Sequence, residues 1–151
     1  MLNFSEGKFQ EEYIPTLGVD VKKLSYAQNA NMFRNTVWDV SGQRTFKQIR
    51  KMYYPNTDCF LILYDVSNKQ SFEDIEDWLD EIKPYAKKNG IFLLIGNKID
   101  LNGQRLITQT EGENKATELG IEFYETSAKT GQNVGELFEY VGNKIIEKKK
   151  S

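Results

Sequence analysis

The chain has 151 residues, with 20 Lys and Arg against 22 Asp and Glu and no histidine. That length suits one domain with one sizeable core. The near-balanced charge argues against a nucleic-acid partner, and without histidine there is no histidine-based triad or histidine metal site.

One cysteine, Cys59, makes neither an internal disulfide nor a zinc site and fits a reducing compartment. No apolar run reaches the ~18–20 residues of a membrane span, and the N-terminus lacks the long apolar stretch of a signal peptide. Met1 to Phe9 is too short and polar to be a stable element alone. Residues 19–26 and 31–40 read as a hairpin pair joined by Ala27-Gln28-Asn29-Ala30. Asn35 falls where the second strand's core face calls for an apolar residue. Residues 44–54 read as a short helix with Phe46, Ile49 and Tyr53 on one face, stopped at Pro55-Asn56. Residues 59–66 form an apolar strand in which Cys59 is a packing residue. Ser71 with Asp74 makes a capping-box-like start for a helix. Phe72, Ile75, Leu79 and Ile82 then fall at helical spacing, and Pro84 disturbs the last turn.

Residues 91–95 are five apolar residues bounded by Asn89-Gly90 and Gly96, which read as a buried strand. Thr108 and Glu111 form another capping box; Ala116 and Leu119 lie on that helix and Gly120 is its C-cap. Residues 122–126 alternate like a strand. The final helix starts near Asn133, buries Val134, Leu137, Phe138, Val141 and Ile145, and ends in Lys148-Lys149-Lys150. That charge run suits a solvated helix end, where the dipole favours cations.

The chemistry concentrates at Asn97-Lys98-Ile99-Asp100, directly after the buried strand. Open α/β sheets place ligands at the carboxyl ends of their strands. Asn both donates and accepts; Asp accepts a pair of N–H donors at once, such as guanine presents on its Watson–Crick edge. Alone, the tetrad favours an ordinary surface turn. Three further stretches change that: Tyr13-Ile14-Pro15-Thr16-Leu17-Gly18-Val19-Asp20, Trp38-Asp39-Val40-Ser41-Gly42-Gln43, and Glu122-Phe123-Tyr124-Glu125-Thr126 followed by Ser127-Ala128-Lys129. In that order and spacing the four resemble a small GTPase of the Ras superfamily. Gly18-Val19-Asp20, and Tyr64-Asp65-Val66 followed by Ser71-Phe72-Glu73, resemble its Rab branch most closely. The resemblance runs from Phe4 to about Lys148.

The resemblance implies a single-domain α/β fold of the Ras-like P-loop GTPase type. This is a three-layer arrangement with a mostly parallel sheet and helices on both faces. It implies GTP or GDP with Mg²⁺, and a nucleotide-controlled switch in vesicle traffic on the cytosolic face of endomembranes. Its partners would be effector and regulator proteins. By resemblance, Asp100 would pair with guanine N1–H and the exocyclic amine. Asn97 would reach N7, and Lys98 and Lys129 would lie along the ring faces. The Ala128 backbone N–H would meet O6, and Ser127 would brace Asp100. Thr16 would coordinate Mg²⁺ through its hydroxyl and meet the γ-phosphate with its amide, and Asp39 would hold Mg²⁺ through water. Gly42 would give its N–H to the γ-phosphate, and Gln43 would orient the attacking water. Val21, Trp38 and Tyr53 or Tyr54 would form the effector-reading surface, with core packing of Trp38 and the tyrosines as the even alternative.

The chain departs from the family's pattern in several places. It contains no GxxxxGK[ST]: five positions before Gly7-Lys8 stands Leu2, and Phe9 follows. The resemblance begins inside the family's first helix, so the central first strand and the phosphate loop are expected to be missing. Val40-Ser41 replace the usual Thr-Ala, Arg44 the usual Glu, and Val21 the usual aromatic. Charge-assisted hydrogen bonds contribute roughly 1.5–3 kcal/mol each. Losing about four removes roughly four decades of affinity, so the chain is expected to bind GTP weakly or not at all and to hydrolyse it inefficiently. The missing strand would lie between residues 31–40 and 59–66. Those strands are expected to pair with each other or to accept a strand from a second chain. No C-terminal cysteine follows the lysines, so the prenyl anchor of Rab proteins is not expected in these residues. Three readings follow: a piece of a Rab-type GTPase, a pseudo-GTPase interaction module, or an α/β enzyme of another kind.

Overall fold

The computed structural model describes residues 18–28 and 31–150. Thr16 and the Gly7-Lys8 pair lie outside them. Val19–Gln28 (β1) and Asn31–Val40 (β2) form an antiparallel hairpin, paired without slip from Val19↔Val40 to Gln28↔Asn31. Ala27 and Gln28, expected in the turn, continue the first strand. Strand alternation turns Leu24 and Phe33 inward and Met32, Arg34, Thr36 and Trp38 outward. Asn35 stands opposite Leu24 and is half-buried, on the inward face as its position in the pattern required.

Residues 44–54 do not make one helix. Arg44–Phe46 and Tyr54–Asn56 are 3₁₀ turns flanking a short helix, Lys47–Lys51 (α1). Pro55 sits inside the second turn rather than ending a helix, since its missing N–H costs nothing in a first turn.

Cys59–Asp65 (β3) is followed by Lys69–Glu73 (α2) and Ile75–Ile82 (α3). The cap of α2 is Asn68, not Ser71: its side chain accepts the Ser71 N–H at 3.3 Å. The Ser71 hydroxyl is committed elsewhere, accepting from Asp65 N–H at 3.0 Å and donating to Asn68 O at 2.7 Å. The Asp74 carboxylate accepts from Gln70 Nε2. Both partners of the expected box are thus already engaged. As expected, α3 ends at Ile82, just before Pro84.

Ile91–Asn97 (β4), Gln109–Leu119 (α4), Glu122–Glu125 (β5) and Val134–Lys150 (α5) complete the order. The Thr108–Glu111 capping box is fully formed, and Gly120 takes the left-handed C-cap conformation at φ 68°. The strands β3, β4 and β5 form a parallel sheet in that order. One face carries Phe60, Ile62, Tyr64 and Leu94 against Ile75, Leu79 and Ile82 of α3 and Ala116 of α4. The other carries Leu93 and Ile95 against Leu137 and Val141 of α5, with half-buried Cys59 packed beside them. Leu93 and Leu94, neighbours on opposite faces, are both 0% exposed, as a strand covered on both sides requires. Each such side chain contributes roughly 1.5–3 kcal/mol. The result is a three-layer α/β arrangement around the parallel sheet, with helices on both faces as expected.

The hairpin and the parallel sheet are separate sheets among the described residues, so β2 and β3 do not close onto each other. Leu63 marks the consequence. It stands beside Ile95 in register, yet it is 54% exposed where Ile95 is 1%.

Candidate nucleotide site

The carboxyl ends of β4 and β5 are tied together by backbone. Thr126 N–H donates to Gly96 O at 2.8 Å and Ile99 N–H to Thr126 O at 3.3 Å. Lys98 turns the chain with φ 69°, a left-handed conformation that non-glycine residues seldom adopt. That turn brings Asn97 and Asp100, on the loop after β4, beside Ser127 and Ala128, on the loop after β5. The Ser127 hydroxyl, 0% exposed, donates to Asp100 Oδ1 at 2.5 Å. Its oxygen in turn accepts the Thr130 N–H at 3.1 Å. The Asn97 side-chain oxygen accepts the Ala128 N–H at 3.0 Å and the Thr126 hydroxyl at 3.3 Å. The amide oxygen is committed inward, and its NH₂ is the end offered to an acceptor. Four of the expected base-site residues are thus brought together by direct bonds. The Ala128 N–H is already engaged, so a base oxygen would share it with Asn97.

The expected lysines behave differently. Lys98 Nζ pairs with Asp65 Oδ2 at 2.6 Å, across the end of β3. Burial works to raise the Asp65 carboxyl, but bonds from Lys98 and Ser67 outweigh it and hold it below the usual carboxylate range. Asp65 was not a candidate in the sequence; its register position opposite Asn97 was the missing information. Lys129 is exposed on the second loop.

The 39–43 segment lies at the end of β2. Asp39 is half-buried, Ser41 is buried at 3%, and Gly42 and Gln43 are exposed. Ser41 N–H donates to Gly18 O at 2.8 Å, which ties this turn to the start of β1. Beneath it is a buried ion pair that sequence reasoning did not find: Arg50 on α1 meets Glu81 on α3, with Tyr54 on the same carboxylate. Burial alone raises the Glu81 carboxyl, but hydrogen bonds from Arg50 and Tyr54 win and hold it below its usual value. A carboxyl depressed by folding contributes stability above its unfolded pKa, about 4.3. That contribution is lost as pH falls through the folded pKa. Glu81→Gln is therefore expected to cost about 1–2 kcal/mol at pH 7. It should also flatten the fall in stability below about pH 4, read from urea midpoints at stepped pH.

The expected effector-surface residues divide. Val21 and Trp38 are cross-strand partners, 42% and 40% exposed, and the Tyr53 ring lies 4.5 Å from that of Trp38. Tyr54 is 4% exposed and belongs to the core. The three aromatics differ in burial: Trp38 is exposed, Tyr53 is half-buried against it, and Tyr54 lies in the core.

The sequence profile of the Ras family matches residues 1–147. The chain belongs to the Ras family. Its relatives lie in the Rab branch. It is 36% identical over 146 residues to "Ras-related protein Rab-37" of Homo sapiens, covering 96% of this chain and 66% of that protein. It is 37% identical over 145 residues to "Ras-related protein RIC1" of Oryza sativa, covering 96% and 72%. It is 36% identical over 149 residues to "GTP-binding protein ypt2" of Schizosaccharomyces pombe, covering 99% and 74%. The chain thus spans about two thirds of the length of Rab-37. The two adjoining loops hold a braced carboxylate, an oriented amide and a backbone N–H, a set whose chemistry suits a guanine base. Of the two residues expected at a metal, Asp39 lies at the end of β2 among the described residues. Those residues contain no group of three or more His, Cys, Asp or Glu side chains placed to hold one, and Thr16 lies outside them.

Proposed function

We propose that this chain is a Rab-type switch module of vesicle traffic. It recognises the guanine base through Asp100, Asn97 and the 127–129 loop, and these 151 residues hold the phosphates weakly. The observation that carries the reading is the pair of bonds that orients the site: Ser127 onto Asp100 and Ala128 onto Asn97. Preorganised groups give discrimination, because adenine would leave the carboxylate facing an acceptor and a buried network unpaired. The phosphate side has no comparable equipment, since no GxxxxGK[ST] occurs in the chain. Its partners on this reading are GTP or GDP with Mg²⁺, and effector and regulator proteins of membrane traffic. They would meet it on the cytosolic faces of endomembranes. No described helix is long and apolar enough to cross a membrane.

A second reading has its own observation. Val21 and Trp38 pair across the hairpin with the Tyr53 ring against Trp38, a surface that suits a pseudo-GTPase binding protein partners without turnover.

An ¹⁵N-resolved NMR titration of the full chain with GDP and Mg²⁺, and with ADP in parallel, decides between them. The expected result is shifts confined to residues 97–100 and 126–130, guanine-selective, with a Kd of roughly 0.1–1 mM, about −4 to −5.5 kcal/mol. Equal shifts with ADP would remove the base-site reading. Sub-micromolar GDP binding would show that the phosphates are well held after all. No shift at either nucleotide favours the interaction module.

A further inference from the structure

Arg50 is 3% exposed, a depth at which a guanidinium needs partners for its donors. It has them on three sides. Its Nε and Nη2 grip the two carboxylate oxygens of Glu81 on α3, each at 3.0 Å. Its Nη1 donates to the backbone oxygens of Ser41 at 2.8 Å and Gln43 at 2.7 Å. Its guanidinium carbon lies 4.8 Å from the centre of the Trp78 ring. Gly42, between the two gripped carbonyls, rests on that same ring: a β-carbon there would meet Trp78 Cζ2 at 3.6 Å. The Tyr54 hydroxyl donates to Glu81 Oε1 at 2.8 Å and fixes the carboxylate from the far side. The turn that carries Gly42 and Gln43 is thus fastened to α3 through its own backbone.

We propose that Arg50 is a positioning residue for the Gly42–Gln43 turn, with Glu81 as its anchor on α3. The fork holds the 41–42 and 43–44 peptide units, so the Gly42 N–H and the backbone that carries the Gln43 side chain keep one position. The inference rests on reading Gly42 as phosphate-facing and Gln43 as water-facing. A rearrangement of this turn must break a buried fork or carry α1 and α3 with it. Lysine cannot replace Arg50, because a point charge does not serve a carboxylate and two carbonyls at fixed angles.

Hydrogen exchange read by mass spectrometry on the full chain, without nucleotide, tests this. A peptide spanning 40–46 reports the turn, and one spanning 91–97 reports the fold. Arg50→Lys should speed exchange in 40–46 at least tenfold and leave 91–97 within twofold. The double variant Arg50→Glu with Glu81→Arg restores an ion pair, but a carboxylate cannot donate to the Ser41 and Gln43 carbonyls. It should keep 91–97 protected while 40–46 stays fast. Unchanged exchange of 40–46 in Arg50→Lys, or equal loss in both peptides, overturns the proposal. Should Arg50→Lys fail to fold, Glu81→Gln carries the same comparison under the same criteria. The nucleotide reading is separated by a second arm. If GDP shifts nothing at residues 97–100, that reading falls while the exchange result stands. If the chain turns over GTP, Arg50→Lys should lower kcat about tenfold with KM unchanged.

Discussion

Gly112→Ala should destabilise the chain by about 2–3 kcal/mol, measured from urea midpoints at unchanged m-value. In most exposed helix interiors the same change stabilises, since alanine is favoured over glycine by about 1 kcal/mol. Here the sign reverses because α4 packs on the sheet through Gly112. A β-carbon there would stand 2.5 Å from Tyr64 Oη, 2.6 Å from Phe123 Cζ and 2.7 Å from Phe123 Cε2. The Tyr64 ring has no room to step aside. Tyr64 is 2% exposed, and its hydroxyl also sits 2.8 Å from where a β-carbon on Gly96 would be. Overpacking of this kind costs about 1–3 kcal/mol, occasionally more, and two aromatic obstacles place it high in that range.

Tyr64 sharpens the test. Among the described residues its hydroxyl is the buried side-chain polar atom without a hydrogen-bond partner. Burial pushes its pKa well up, consistent with a site that disfavours charge. An unpaired buried hydroxyl costs roughly 1–3 kcal/mol, so Tyr64→Phe should stabilise the chain by about 1 kcal/mol, or about 3 °C in Tm. In the double variant with Gly112→Ala, the collision with the hydroxyl disappears and the one with Phe123 remains. A coupling of about 1 kcal/mol is expected. Strict additivity would mean that α4 slides off the sheet to relieve the clash.

What was legible in the sequence follows the range of the physics involved. Residues 91–95 were read as a buried strand because five apolar residues in a row have few other fates. The Thr108–Glu111 box and the Gly120 cap were read because both partners lie within one turn. Asp100 and Ser127 were legible as a pair only through the resemblance, since 27 positions separate them and no local rule joins them. Where two local rules competed, the reading failed: Ser71 looked like a cap, but β3 had already claimed its hydroxyl. Arg50 was invisible for a related reason. In sequence it is one more basic residue on a short helix, and its partner Glu81 is 31 positions away. Adjacent tyrosines went to opposite sides, Tyr53 onto Trp38 and Tyr54 onto Glu81, because two neighbouring residues of a tight turn cannot share one face. The separation of the two sheets was equally beyond local pattern, since strand partners are chosen by tertiary geometry.

Asp100→Asn should abolish the guanine response and replace it with a response to xanthine. Ser127 takes one side of Asp100 Oδ1 at 2.5 Å, which fixes the carboxylate plane and leaves its other acceptor positions to a ligand. On the proposed reading these receive guanine N1–H and the exocyclic amine. Bonds to a charged acceptor contribute roughly 1.5–3 kcal/mol each. Asparagine weakens one and turns the other into a donor facing a donor, a combined loss of about 3 kcal/mol or more, at least a hundredfold. From a baseline near 1 mM, that loss takes GMP below detection in the NMR titration. Xanthine carries a carbonyl where guanine has its amine, so the new NH₂ finds an acceptor, and XMP should shift residues 97–100 as GMP does in the unaltered chain. Ser127→Ala removes the brace without reversing any donor, so it should weaken GMP about tenfold and leave XMP unrecognised. The loss in Asp100→Asn should also be the same for mono-, di- and triphosphates, because the contact is with the base. A loss that grew with phosphate number would place Asp100 on the phosphate side and sink the assignment; an Asp100→Asn chain that still bound GMP would sink it more directly.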